Sequence, residues 1–313
     1  MTTGRKKKKK SVKKKEKRSA DPNQGYFFDG PPQYVVEDPT FKPYEYPVWT
    51  RNKARLVQRY LRYFVFITRH GTYIDGFAGP QEPGKPETWT AGLVFESEPK
   101  WLRNFFFCEL DEKKIPSLRQ LQQRAAELND KPKRIVRVFQ GDFNETVETV
   151  LSSGIITDKE ATFCLLDQRT FECDWQTVMK LAKHKSSNKI ELFYFLGTAW
   201  LHRAFSGLKL TPEADMNRWW GRDDWKHLRG ASRQSITDAV VKRFTQELGY
   251  RYANAFPIYE TEEGTTKIMY QMIHASDHTE APKLMGRAYR NAVNVEEPPA
   301  QLEIELGHEG NGR

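Results

Sequence analysis

The sequence predicts an α/β fold with a mostly parallel sheet of seven strands and helices on both faces. Three observations favour this fold. Strand-like and helix-like segments alternate, the strand-like segments are nearly continuous apolar runs, and an acid follows each of the first four strands. Parallel strands read as apolar runs because helices bury both faces of the sheet. We therefore expect one α/β domain over most of the 313 residues.

The elements of this domain follow one another from about residue 49. Thr50 can cap a helix that continues to about Thr68, because apolar residues recur there at helical spacing. Strands are predicted at 72–75, 104–109, 134–139, 161–167, 190–197, 251–258 and 266–275. Helices are predicted at 90–98, 111–129 and 174–185, and from a cap at Asn144 to Leu151. A polar helical insert at 198–248 separates the fifth strand from the sixth.

The positive charge of the chain is concentrated in one segment. Residues 1–18 hold eleven Lys/Arg and one Glu, a net charge of +10, so the rest of the chain carries −1 of the total +9. Such a segment repels itself and cannot bury a core, and we expect a disordered tail over 1–20. It is either a solvated tail, a targeting or partner-binding segment, or a segment that binds nucleic acid phosphates. The lysines that would bind the phosphates are Lys6, Lys7, Lys8, Lys9, Lys10, Lys13, Lys14 and Lys15.

Composition sets the remaining boundaries. Residues 21–48, rich in proline and aromatic residues, are expected to form an extended arm on a domain at 49–294, and 295–313 a flexible C-terminal tail. No run is long and apolar enough for a membrane span, and no apolar stretch typical of a secretory signal follows the first charges. Cys108, Cys164 and Cys173 form no CxxC pair, so we expect a cytoplasmic protein without a metal site.

Acids at the strand ends carry the functional signal. Asp75, Glu109, Asp142 and Asp167 end or closely follow the first four strands, and Gly76 and Gly79 follow Asp75. Ligands of parallel sheets bind beyond the carboxyl ends of the strands. A carboxylate after the second strand suits ribose hydroxyls, and the pattern as a whole suits an adenosine-containing cofactor. The alternative is that each acid only caps the following helix.

Five segments together resemble a known family. They are YIDGFAGP, FFFCELDE, QGDFNE, LLDQRTFECDW and YQMIHASDHTEAPKLM, and WTRNK at 49–53 fits as well. In this order they resemble the three-Cys-motif partner protein family, TcmP, a relative of class I Rossmann-like methyltransferases. The resemblance implies that fold, S-adenosylmethionine as cofactor and a separate, radical-SAM-like three-Cys-motif partner protein. It implies a cofactor site at Asp75, Gly76, Phe77, Gly79, Glu109, Asp142 and Phe143.

The loop after the fourth strand leaves the acceptor open. Methyltransferases that act on amino groups of bases usually carry [D/N]PP[Y/F] there, whereas this chain has Asp167-Gln168-Arg169-Thr170. We expect Asp167, Gln168 and Arg169 to position or activate the acceptor. The alternative for Asp167 is a role as a helix cap or in stabilising the loop. The function expected is an S-adenosylmethionine-dependent methyltransferase with an unidentified acceptor, nucleic acid among the candidates. The alternative is a non-catalytic protein that binds nucleic acid or a partner through the Lys-rich tail.

Two further groups have a structural interpretation beside a functional one. Trp219, Trp220 and Trp225 stand among basic residues and either stack nucleobases or pack inward under a lid, and we favour inward packing. His274 falls in a strand pattern and is expected to be packed rather than catalytic.

Overall fold

The computed structural model describes residues 50–81, 84–128, 133–205, 212–259 and 268–293. The predicted tail at 1–20, the arm at 21–48 and the C-terminal tail at 295–313 lie outside these ranges. In the described residues, no helix is long and apolar enough to cross a membrane. Cys108, Cys164 and Cys173 are all buried, free thiols.

The protein is a mixed α/β structure with one seven-stranded sheet, as the sequence predicts. The strands are β1 (Gly71–Asp75), β2 (Leu102–Glu109), β3 (Ile135–Gln140), β4 (Thr162–Leu166), β5 (Glu191–Leu196), β6 (Tyr252–Tyr259) and β7 (Ile268–Ser276). Their order is β3-β2-β1-β4-β5-β7-β6, and β7 pairs antiparallel with both of its neighbours. The chain leaves β1 toward β2 and later returns to β4 on its other side, which makes a topological switch point at β1 and β4.

Helices cover both faces of the sheet. They are α1 (Thr50–Thr68), α2 (Thr90–Phe95), α3 (Ile115–Glu127), α4 (Phe143–Leu151), α5 (Trp175–Lys183), α6 (Thr198–Phe205), α7 (Glu213–Trp220), α8 (Arg233–Gln246) and α9 (Ala281–Val293). Helix α9 is not predicted from the sequence. The strand β2 shows why two cores form: Phe105 and Phe107 face the core under α1 to α3 and α9, whereas Phe106 and Cys108 face the core under α4 to α8. Successive side chains of a strand point to opposite faces.

The start of α4 corrects one prediction. Asp142, not Asn144, caps this helix, and its carboxylate accepts a hydrogen bond from the backbone nitrogen of Asn144 at 2.8 Å. The carboxylate stands at the residue whose backbone is still extended, where a side-chain oxygen reaches the free N–H groups of the first turn. The Asn144 side chain is thereby left for contacts outside its own helix.

The insert between β5 and β6 packs its tryptophans inward, as the sequence analysis favours. Trp219, Trp220 and Trp225 are buried. The Arg243 guanidinium of α8 lies 3.8 Å from the ring centroid of Trp175 and 4.1 Å from that of Trp220. This cation between two aromatic rings joins the insert to α5, and the rings are not available to stack nucleobases. Similarly, His274 is buried in β7 with its Nε2 atom 2.8 Å from Glu191.

Candidate functional site

A cavity of about 1120 Å³ opens at the carboxyl ends of β1 to β5, at the switch point of the sheet. The strand ends bring eight of the predicted site residues to its wall: Gly76, Phe77, Gly79, Glu109, Asp142, Phe143, Asp167 and Arg169. Asp75 and Gln168 are buried and do not line it. The cavity also takes in Trp200, Asp215 and Arg218 from the insert, which the sequence analysis does not assign to the site.

Asp75 lies beneath the loop that follows β1. Its Oδ1 atom accepts from the backbone nitrogen of Phe77 at 3.1 Å, and Oδ2 accepts from the Tyr73 hydroxyl at 2.8 Å. Burial raises the pKa of Asp75 to about 7, although both hydrogen bonds act to lower it. Asp75 therefore stabilises the loop after β1 through a buried hydrogen bond to its backbone. Asp75 does not line the cavity, although the family resemblance implies that it belongs to the cofactor site.

Gly79 and Glu109 approach closely across the ends of β1 and β2. The Gly79 backbone nitrogen donates to Oε2 of Glu109 at 2.8 Å, and the nitrogen of Asp111 donates to Oε1 at 2.9 Å. A Cβ atom at position 79 would lie 2.3 Å from Oε2 of Glu109, so only glycine fits without a shift. The two backbone donors fix the carboxylate at the cavity wall, and one lone pair on each oxygen remains for a ligand.

Phe143 also borders the cavity. A Cβ atom at Gly76 would lie 2.8 Å from the Phe143 ring, so the glycine lets the ring settle against the loop after β1. Asp142 lines the cavity and also caps α4, so the functional and the capping interpretations both apply to it. Leu110 is 70% exposed beside Glu109 at the cavity edge. Its only sequence signal is its place directly after the acid of β2.

Asp167 is held by two residues that the sequence analysis does not identify. The Lys53 ammonium group of α1 donates to Oδ1 at 2.5 Å, and the Gln81 amide donates to Oδ2 at 3.1 Å. Lys53 is itself buried and lies 4.6 Å from the ring centroid of Phe195. Burial raises the pKa of Asp167, and the charge of Lys53 opposes this shift. No local pattern predicts such a pair, because its members come from distant parts of the chain.

Hydrogen bonds from the side chains of Gln168 and Asn144 to the backbone hold the loop after β4. The Gln168 amide donates to the Phe195 carbonyl at 3.2 Å and accepts from the Cys173 nitrogen at 3.0 Å, so this side chain points away from the cavity. Asn144 of α4 donates to the carbonyl of Glu172 at 2.7 Å and accepts from the backbone of Asp174 at 2.9 Å. Gln168 therefore supports the loop, whereas its neighbours Asp167 and Arg169 line the cavity, where an acceptor could contact them.

Arg169 differs from Gln168 because its side chain is exposed on the cavity wall. Its guanidinium makes no hydrogen bond or ion pair with any other described residue, whereas Arg218 pairs with Asp215 at 2.6 Å. An unengaged guanidinium can bind a carboxylate or phosphate through two parallel hydrogen bonds. Arg169 is thus a cation of this wall that is available to an anionic group.

The wall as a whole is acidic. It carries eight carboxylates (Glu109, Asp111, Asp142, Glu145, Asp167, Glu172, Asp174 and Asp215) against three cations (Lys114, Arg169 and Arg218). A concave wall with one sign of charge raises the local concentration of ligands of the other sign. The cavity therefore favours cationic or neutral groups over polyphosphates. Across the residues described here, no group of three or more His, Cys, Asp or Glu side chains has the arrangement of a metal site.

Fold and cavity together define an α/β protein with a large acidic cavity at the switch point of its sheet. The sequence matches no protein-family model and no curated protein.

Proposed function

We propose that the chain is an S-adenosylmethionine-dependent methyltransferase with a Rossmann-like, class I fold. The observation that carries this proposal is the contact between Gly79 and Glu109, which presents a fixed carboxylate at the end of β2 beside a close-approach loop after β1. In dinucleotide-binding sheets an acid at this place accepts hydrogen bonds from ribose hydroxyls. The resemblance to the TcmP family points to the same activity.

The residues around this contact suit the other parts of the cofactor. Phe143 and the exposed Leu110 line the cavity together with Glu109 and offer apolar surfaces for an adenine ring, and Asp142 offers an acceptor for its amino group. The excess of carboxylates suits the ammonium and sulfonium charges of S-adenosylmethionine. The loop after β1 carries no GxGxxG, so a pyrophosphate-containing cofactor is a poorer fit.

The acceptor is expected beside Asp167, on the β4 side of the cavity. S-adenosylmethionine, when bound, supplies a methyl group that is already activated by its sulfonium, so positioning of the acceptor carries much of the catalysis. Lys53 and Gln81 hold the two oxygens of Asp167 in place and leave a lone pair on each oxygen for an acceptor N–H or O–H. Arg169 is available for an anionic group of the acceptor.

Isothermal calorimetry with S-adenosylmethionine and S-adenosylhomocysteine tests the proposal. We expect micromolar binding to the wild-type chain and a loss of at least tenfold in Glu109→Ala, because the fixed carboxylate is removed. Glu112→Ala is the matched control, since Glu112 is an exposed acid three residues further on that does not line the cavity. Thermal unfolding of both variants separates lost binding from lost folding. Absence of binding to a folded wild-type chain would rule out the methyltransferase.

A second candidate is a non-catalytic protein that keeps the methyltransferase scaffold and binds nucleic acid or a protein partner. The engagement of Asp167 favours it, because Lys53 and Gln81 already bond both oxygens of the acid expected at the acceptor. A three-Cys-motif protein is a partner that the family resemblance implies. Cofactor binding without methyl transfer to any added acceptor, alone or with that partner, would favour this candidate.

A further inference from the structure

We propose that the β4 side of the cavity receives the Lys-rich segment 1–18 of the chain itself and that the methyl acceptor is a lysine amine of this segment. The inference rests on the proposed methyltransferase function and names its substrate class. It is carried by three features: opposite charges, the point at which the chain enters α1, and the chemistry of the cavity wall.

The charges of the two parts are complementary. Eight carboxylates face three cations on the cavity wall, whereas residues 1–18 carry a net charge of +10. The remainder of the chain is nearly neutral overall, so the excess positive charge of the chain belongs to this segment. Nucleic acid phosphates would meet repulsion from the acidic wall, whereas lysine side chains meet attraction.

The entry of the chain into α1 places the segment within reach. Helix α1 begins at Thr50, and Lys53 in its first turn contacts Asp167 on the β4 side of the cavity. The 31 residues at 19–49 connect the segment to this point. A chain of this length spans at most about 110 Å when extended. This is ample for the segment to return to its own cavity or to reach that of a second copy.

The wall beside Asp167 has the groups that recognise an alkylammonium ion. The half-buried aromatic residue Phe171 lines it together with Glu172, Asp174 and Asp215. Aromatic faces and carboxylates together bind lysine and methylated lysine. Lys53 gives an internal precedent, because its ammonium group lies against the Asp167 carboxylate and 4.6 Å from the Phe195 ring centroid.

Asp167 and the bound methyl donor supply the groups that the transfer needs. The lysine ammonium gives one proton to Asp167, and its nitrogen lone pair then forms an N–C bond to the methyl carbon. The S–C bond breaks, its electron pair stays on sulfur, and the products are a methylated ammonium group and a neutral thioether. The proton passes from Asp167 to solvent.

The first test needs no cofactor. A carbodiimide couples amines to carboxylates in direct contact, and the full chain is treated with it and mapped by mass spectrometry. We expect links from the lysines of 1–18 to Glu172, Asp174 or Asp215, weakened by salt and several-fold fewer in the double variant Glu172→Gln/Asp215→Asn. Asp223→Asn, an exposed acid outside the cavity, should leave their yield unchanged. Links that avoid the cavity carboxylates would overturn the proposal.

The second test uses the full chain with S-adenosylmethionine and no added acceptor. We expect a mass increase of one or more methyl groups on peptides from 1–18, lost in a variant with Lys→Arg at positions 6–10, 13–15 and 17. Calorimetry on the same sample separates the two proposals: no cofactor binding refutes the methyltransferase, whereas binding without methylated tail lysines refutes only the acceptor. Tail lysines that stay unmethylated and bind an RNA or DNA oligonucleotide would assign the segment to nucleic acid.

Discussion

Lys53 and Asp167 are 114 positions apart in the chain, yet the Lys53 Nζ atom lies 2.5 Å from Oδ1 of Asp167 in a buried ion pair. We expect Lys53→Met to lower the free energy of unfolding by about 3–5 kcal/mol at pH 8, because it leaves a buried carboxylate without its cation. Burial then raises the pKa of Asp167 further. When a carboxyl has a higher pKa in the folded chain than in the unfolded chain, the folded chain loses stability as the pH rises. The loss of stability caused by Lys53→Met should therefore be smaller at pH 5 than at pH 8.

Urea denaturation of the wild type, Lys53→Met, Asp167→Asn and the double variant measures this effect. The double variant should recover much of the loss, since neither charge remains. An equal deficit of Lys53→Met at pH 5 and pH 8 would show that lost packing, and not an unpaired carboxylate, causes it.

The close approach at Gly79 gives a second prediction. Gly79→Ala places a methyl group 2.3 Å from Oε2 of Glu109 and 2.5 Å from Cδ of Lys114, so the carboxylate must move. We expect a loss of about 1–3 kcal/mol in stability and at least tenfold weaker binding of S-adenosylhomocysteine. Calorimetry and urea denaturation measure the two effects.

Gly286→Ala is the matched control for this substitution. Gly286 lies within α9, and the nearest atom to an added Cβ is 3.7 Å away. Alanine should stabilise this helix by about 0.5–1 kcal/mol and leave ligand binding unchanged. Unaltered binding in a folded Gly79→Ala chain would contradict the role given to Glu109.

Asp75 makes stability depend on pH. Burial raises its pKa from 3.8 to about 7, so between these values the folded chain holds a proton that the unfolded chain has released. Stability therefore falls as the pH rises from about 4 to about 7, by on the order of 4 kcal/mol for a shift of this size. Asp75→Asn cannot ionise and should remove this falling limb. Its amide oxygen can still accept from Phe77, and its NH₂ group can donate to the Tyr73 hydroxyl.

Urea denaturation at pH 5 and pH 7.5 tests the contribution of Asp75. The difference in stability between the variant and the wild type should shift by a few kcal/mol in favour of Asp75→Asn at the higher pH. A constant difference across this range would mean that Asp75 has the same pKa in the folded and unfolded chains.

Asn144 is expected to control the rigidity of the loop after β4. Its side chain bonds to Glu172 at 2.7 Å, to Asp174 at 2.9 Å and to Thr177 at 2.8 Å. Asn144→Ala should cost about 2 kcal/mol, because three hydrogen bonds are lost at once. Thr177→Val removes only one of them and serves as the graded control. Tryptic cleavage after the exposed Arg169 should accelerate in Asn144→Ala, and unchanged cleavage would show that the loop is held elsewhere.

The sequence predicts the strands well because their apolar runs are local features. The buried segments NFFFCE and IELFYFLG lie within β2 and span β5. The order of the strands in the sheet depends on contacts between distant segments, so the sequence does not predict it. The position of the crevice does follow from the sequence, because it lies at the strand ends. Helix α9 is missed because Pro282 and Gly286 weaken its helical signal, although Leu284, Met285, Ala288 and Tyr289 share one face.

The residues of the candidate site also divide into those that a local sequence pattern predicts and those that depend on distant contacts. Glu109 and the glycines after β1 are visible as a motif because the strand ends bring them together. Lys53 ends the segment WTRNK, but no local feature shows that it pairs with Asp167, since a lysine in the first turn of a helix is usually exposed. The inward orientation of Gln168 is equally hidden, because it depends on the backbone of Phe195 in the next strand.

The place of β7 between β5 and β6 has a consequence for synthesis of the chain. Among the strands of the described residues, β7 is the last to leave the ribosome, yet it covers the side of β5 that would otherwise be a sheet edge. Until residue 276 has emerged, the apolar strand Glu191–Leu196 offers unpaired backbone groups to any other nascent chain. Closure of this edge requires pairing across a long separation in sequence, which is slow. A truncated chain that stops within the insert is therefore expected to aggregate through β5.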